Sequence, residues 1–529
     1  MKLKIAFLPM DGHGHVNACI GLAKILQKYN HECIFVVPKN WTKAVAGNNF
    51  GIESIVADGF EADRDPQEKW GKFMEERSRV FDMETIEKFI HLNVPSNENF
   101  YDYLLKADDQ YTVILERMKP DLIIFDFWVS VPAIINSGIP YVVLWSTSPL
   151  IAYWGPNVPP YSSALGINDD PAEFERLRLA FNDSLAVIKK QFDELFRSKG
   201  IDPETEDRLD FSILGKSPYL NLYPYPEDLD YSEFGPVPDK WFRVDHMVRG
   251  SDDIPLGIDE SFFKENADSK IILFSLGSLG TSNYKLMSRL IGILGKSPHK
   301  FIVSKGIHHD KIVLPDNMVG SKYLNQMKIM PRVDMVIHHG GNNSFIETIY
   351  FGKPFIVMPL FGDQHDNGRR AVDKKIGKFF LPYRVTESEL LNGIDEILND
   401  KELIKRVELI GKHLRETKSH DILNEKLIEV VKNGPLDKLS KATKKTITSP
   451  PVKTVGQTVP SSQVEMNDNN QRTINMNGNM NGKMNGNITV NNMTNNMNGN
   501  NTTTTTTTSQ DKSGKISPVW NEPSILIES

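Results

Sequence analysis

Eight short runs of apolar and β-branched residues, separated by stretches of helical period, constrain what this chain can fold into. Four come early: Ile5–Leu8, Ile34–Val37, Leu122–Phe125 and Tyr141–Leu144. Four more form a second series: Ile271–Leu276, Phe301–Ser304, Met335–Ile337 and Phe355–Met358. Strands buried on both faces read as such continuous runs, and parallel sheets covered by helices bury them that way. Between the first two runs Cys19, Leu22, Ala23 and Leu26 fall at i, i+3, i+4 and i+7, one face of a helix that Asn17 is placed to cap. A second helix, Asn343 to Phe351, meets a stop signal in Gly352 and Pro354. Alternating strands and helices build right-handed βαβ units. The expected fold class is therefore α/β, with two doubly wound Rossmann-like domains facing a cleft.

The polar stretch Asp245–Lys270 separates the two series, which places an N-terminal domain at 1–245 and a second at 246–434. Within the first, about 155–243 reads as an irregular insertion rich in proline and aromatic residues, suited to a pocket wall. Beyond it the composition changes. Between Asn467 and Asn501, 16 of 35 residues are Asn, and Thr502–Thr508 is a run of seven threonines. Such a segment buries too little apolar surface to offset its ordering entropy, so 435–529 is expected to be a disordered tail. Its end, Val519-Trp520 and Ile525-Leu526-Ile527, leaves room for one weak partner.

Charge and cysteine content narrow the function. With 61 basic and 68 acidic residues the net charge is -7, against a general nucleic-acid binder. Two cysteines exclude a disulfide scaffold and a Cys-based zinc cluster. No apolar run reaches the roughly 20 residues of a membrane span. The first apolar run is shorter than the roughly 7–15 residues of a signal peptide's core, so a cytoplasmic protein is expected.

In open α/β sheets ligands sit beyond the carboxyl ends of the strands, and polar residues gather at those ends here. The first strand runs into Gly12-His13-Gly14-His15-Val16-Asn17, which offers two imidazoles for proton transfer but no dinucleotide fingerprint. Asp126 ends another strand, where it either partners a histidine or caps the segment near Ser130. In the second series, Leu276-Gly277-Ser278-Leu279-Gly280-Thr281 lies between a strand and a helix. The run His338-His339-Gly340-Gly341-Asn342-Asn343-Ser344-Phe345-Ile346-Glu347 places a helix N-terminus after a Gly-Gly turn, a setting that suits a diphosphate. Glu347 sits one turn inside, in place to accept from ribose hydroxyls. Asp363 and Gln364 follow a third strand, in place for the hydroxyls of a sugar.

These motifs together resemble a known family. His339 through Glu347, then Gly352-Lys353-Pro354 and Pro359-Leu360-Phe361-Gly362-Asp363-Gln364, are similar to the signature of the UDP-dependent glycosyltransferases of family 1, which have the GT-B fold. Gly14-His15-Val16-Asn17 resembles that family's N-terminal Gly-His motif, and the likeness spans about 3–430. It implies an inverting transfer of a hexose, glucose above others, from a UDP-sugar to a hydroxyl of a small lipophilic acceptor. His15 would be the base and Asp126 its partner, with His13 the other candidate base. Ser278, His339, Gly341, Asn343 and Ser344 would hold the diphosphate, Glu347 the ribose, and Asp363 and Gln364 the sugar. Tyr323 stands where the family's signature opens with Trp, which stacks on uracil, and Gln326 follows three residues on. No cofactor or metal is implied, and no Asp-x-Asp motif stands where a metal-dependent transferase carries one. Trp128, Trp145, Tyr153 and Trp154 favour an apolar, aromatic acceptor. The alternatives are a sugar-nucleotide epimerase of the same fold and a non-catalytic UDP-sugar binder.

Overall fold

A computed structural model describes residues 1–56, 65–203, 215–250, 255–264 and 269–434. All of them belong to one compact unit, Met1–Pro450. The expected tail, 435–529, lies outside the described residues.

Among the described residues thirteen strands form two sheets. The first holds β1 (Lys4–Pro9), β2 (Glu32–Pro38), β3 (Gly51–Ile55), β4 (Leu122–Asp126), β5 (Tyr141–Leu144), β6 (Leu220–Pro224) and β7 (Trp241–Val244). Their order is β3-β2-β1-β4-β5-β6-β7 and every pairing is parallel. The second holds β8 (Ile271–Ser275), β9 (Lys300–Ser304), β10 (Met318–Ser321), β11 (Met335–His338), β12 (Phe355–Val357) and β13 (Gly377–Phe379). It runs β10-β9-β8-β11-β12-β13, again all parallel. This is the expected α/β architecture, two doubly wound domains of the GT-B kind.

Two local expectations are corrected. The first helix spans His13–Gln27 with Gly12 at its N-cap, so Asn17 lies inside the helix and does not cap it. The insertion at 155–243 is not irregular throughout. It contains the helix Pro171–Ser198, capped by Asp170 and buried along Phe174, Leu177, Phe181, Leu185, Ile188 and Phe192. It also supplies β6 and β7, which extend the first sheet.

The last helix, Ser419–Asn433, leaves the second sheet. Leu423, Leu427 and Val430 are buried in the cluster that covers one face of the first sheet, with Leu222 and Val244. No helix among the described residues is long and apolar enough to cross a membrane.

Candidate active site

The His15–Asp126 pair is assembled by strand register. β1 and β4 are neighbours, with Pro9 opposite Asp126, and Met10 N–H donates to the Asp126 carbonyl at 3.0 Å. The chain then turns through Gly12 into the first helix, whose opening turn carries His15. His15 Nδ1 comes within 2.9 Å of Asp126 Oδ1, with Ser146 Oγ at 3.2 Å. Burial disfavours the imidazolium, but the charge and hydrogen bond of Asp126, helped by Asp363 and Asp11, outweigh it. The His15 pKa is raised. His15 lines the cleft. His13 packs edge-on against Trp41 at 4.6 Å between ring centroids, and burial lowers its pKa to about 4, which makes it a weak base.

The opposite wall is built around a glycine cradle. Gly340 has φ +86, which turns the chain from β11 into the helix Asn342–Tyr350. A Cβ on Gly277 would lie 2.5 Å from His339 Cε1, and one on Gly341 would lie 2.4 Å from His339 Nε2. The imidazole therefore slots between two bare backbones. Burial lowers its pKa to about 4, so it is neutral, and its Nδ1 is buried without a partner in the protein. Asn343 Nδ2 donates to the Gly14 carbonyl at 2.8 Å, tying this helix to the opening turn of the first helix, which carries His15. Glu347 is buried, and burial raises its pKa against the opposing charge of Arg249.

A third wall is the helix Asp363–Asp373. Gln364 Oε1 accepts from the backbone of Leu360 at 2.9 Å and Phe361 at 3.3 Å, which holds its amide in place. Burial pushes the Asp363 carboxyl up to about 7, against the Thr147 hydroxyl and the charge of His15. The helix is locked to the first domain. Asp366 accepts from Ser162 N–H at 2.8 Å, and fully buried Arg370 donates to the carbonyls of Leu229 and Asp230 at 2.7 and 2.6 Å.

One cleft of about 720 Å³ is lined by His15, Ser278, Tyr323, Gln326, His339, Gly341, Asn343, Ser344, Glu347, Asp363 and Gln364. Asp126 lies behind His15 and is buried. Tyr323 stands at the exposed lip, where its hydroxyl donates to Asp65. Gln326 Nε2 donates to Ser275 Oγ at 3.1 Å. The sequence reading missed Arg249, Ser146 and Thr147, which also line the cleft. Arg249 sits alone in a polar linker, and a single residue there makes no pattern. Trp145, Tyr153 and Trp154, read as acceptor-side aromatics, are not among the lining residues, whereas Trp128 is. No group of three or more His, Cys, Asp or Glu side chains among the described residues is arranged to hold a metal.

Known proteins resemble this chain in sequence and in fold. The family model for UDP-glucoronosyl and UDP-glucosyl transferases matches residues 244–414. An uncharacterized UDP-glucosyltransferase of Bacillus subtilis (strain 168), YojK, is 22% identical over 442 residues, covering 81% of this chain and 97% of its own. UDP-glucuronosyltransferase 1A9 of Homo sapiens is 30% identical over 145 residues, 27% of either chain. The crystal structure of the kitacinnamycin glycosyltransferase superposes with a TM-score of 0.57 at 17% identity, covering 80% of this chain and 99% of that one. The donor-side signature, the relatives that match over nearly their whole length and the shared two-sheet fold point the same way: residues 244–414 match the UDP-glucoronosyl and UDP-glucosyl transferase family, and the chain as a whole is similar to UDP-dependent glycosyltransferases of the GT-B fold.

Proposed function

We propose that the enzyme moves glucose from UDP-glucose to a hydroxyl of a small lipophilic acceptor, with inversion at the anomeric carbon and His15 as the base. The observation that carries this reading is the His15–Asp126 pair at 2.9 Å, set across one cleft from Asp363 and the helix Asn342–Tyr350. His15 Nε2 takes the acceptor's proton while Asp126 stabilises the imidazolium. The acceptor oxygen bonds to C1 from the face opposite UDP. The C1–oxygen bond to UDP breaks, and its electron pair stays on the diphosphate. The helix N-terminus and the His339 side chain meet part of that charge. Trp70, Met74, Phe100, Trp128 and Phe181 line the acceptor end and support an apolar, aromatic substrate. Two buried, unpaired cysteines, Cys19 and Cys33, fit a cytosolic setting.

Incubation with UDP-glucose and a panel of phenolic and terpenoid acceptors, read by mass spectrometry, tests the reading. One hexosyl group added to a hydroxyl is expected. An isomerised UDP-sugar with no acceptor product would mean an epimerase. His15→Ala should cost about 10²–10⁴-fold in turnover, the usual share of a general base, while leaving UDP binding within about twofold.

A further inference from the structure

We propose that Arg249, the arginine of the inter-domain linker, is a donor-binding residue that contacts the diphosphate of the UDP-sugar. The inference rests on the family likeness for the nature of the donor and extends the set of groups that hold it.

The geometry places this guanidinium on the donor helix. Arg249 Nη1 donates to Asn17 Oδ1 at 2.9 Å, and Nη2 lies 3.8 Å from Glu347 Oε1. Glu347 and Asn343 are four residues apart on the helix Asn342–Tyr350, so they share a face. Gly14 and Asn17 are likewise three apart on the first helix. Two cross-links therefore run side by side: Asn343 to Gly14, and Glu347 through Arg249 to Asn17. The first lies where the diphosphate meets the helix N-terminus, and the second lies one turn deeper. Arg249 also lines the cleft, and its Nε is buried without a partner in the protein.

Charge balance supplies the second argument. The leaving diphosphate needs more than neutral donors, yet burial holds both His338 and His339 neutral, with pKa values lowered to about 3 and about 4. Of the other cations on the cleft wall, Lys69 is 3.6 Å from Asp11 and Lys322 is 3.0 Å from Asp65. Arg249 alone of the three faces a carboxylate of the donor helix itself. That carboxylate is the group expected to turn to the ribose hydroxyls. A bound ribose then competes for Glu347 and frees one edge of the guanidinium for phosphate oxygens, which an arginine fork suits.

Calorimetric titration of the full-length protein with UDP and with uridine tests the assignment. Arg249→Gln is expected to lose about 10- to 100-fold in UDP affinity, the range of a charge-assisted hydrogen bond, and to change uridine affinity by less than about twofold. The salt dependence of UDP binding should flatten in the same variant. Arg249→Lys should recover part of the loss. A UDP-to-uridine affinity ratio equal to that of the wild type overturns the proposal and leaves Arg249 as a strut between helices. If the wild type itself binds no UDP, the family reading of the donor fails instead.

Discussion

At the scale of single residues, His15 is set by a contest between two effects. Burial alone would make it a weak base, as it does His13. Asp126 reverses the balance, and the net pKa lies above the ordinary value of 6.5. The competent form of a base is the neutral one. Acceptor kcat/KM at saturating donor is therefore expected to rise with pH, through a midpoint above about 6.5. Asp126→Asn removes the charge and keeps the size, so the midpoint should fall while the plateau drops about 10²-fold. An unmoved midpoint would show that Asp126 does not set the charge on His15. The preference for His15 came from its place before Val16-Asn17. The contact that sets His13 apart was not legible, because Trp41 reaches it from 28 positions away in the chain.

At the scale of elements, what the sequence revealed follows burial. Every strand recognised as an apolar run is matched, β5 residue for residue, because interior strands must be apolar on both faces. The strands that escaped notice are β3, β6, β7, β10 and β13, four of them at sheet edges and the fifth beside one. Edge strands are half-wet and carry polar groups: Glu53 and Ser54 in β3, Arg243 in β7, Gly320 and Ser321 in β10, Lys378 in β13. In β6, buried Asn221 breaks the apolar run, and its side chain is satisfied by Ser217 at 2.8 and 2.9 Å. The helix Pro171–Ser198 has regular three- and four-residue spacing, but the prolines and aromatics around it dominated the reading. Periodicity shows an apolar face and not the surface it covers, and the last helix, Ser419–Asn433, turns its apolar face to the first sheet. Leu427 is fully buried against the first sheet. Leu427→Ala should cost about 2–5 kcal/mol, seen as an earlier urea midpoint with UDP affinity retained in the folded protein. An unchanged midpoint would mean that this helix is not needed to hold the first domain.

At the scale of the whole molecule, the proposed base follows a strand of one sheet and the proposed donor-binding residues follow strands of the other, so on this reading the docking between them decides which sugar fits. The helix Asp363–Asp373 carries both Asp363 and Gln364, the pair proposed for the sugar, and the arginines that a glucuronate carboxylate would need. Those arginines point elsewhere. Arg369 pairs with Asp169 at 3.2 Å and Asp373 at 3.0 Å, and Arg370 is buried against the Leu229 and Asp230 carbonyls and Glu233. Each holds the helix against the first domain, so neither can turn to a ligand without loosening the cleft. The residue proposed to face the sugar is Asp363, which lines the cleft and whose carboxyl, at about 7, is largely ionised in mildly basic solution. It can accept from neutral hydroxyls and would repel a second carboxylate, whose desolvation would then go uncompensated. UDP-glucose is therefore expected to exceed UDP-glucuronate by about 10-fold or more in kcat/KM, given that an unmatched charge costs over 1.4 kcal/mol. The check is a competition at equal concentrations among UDP-glucose, UDP-galactose, UDP-N-acetylglucosamine and UDP-glucuronate at pH 8. Asp363→Asn run beside it should narrow the gap, because the repulsion goes with the charge. A win for UDP-glucuronate in the wild type would mean that a cation reaches C6 of the sugar, and Lys69, Arg249 and Lys322 on the cleft wall are the three to mutate next.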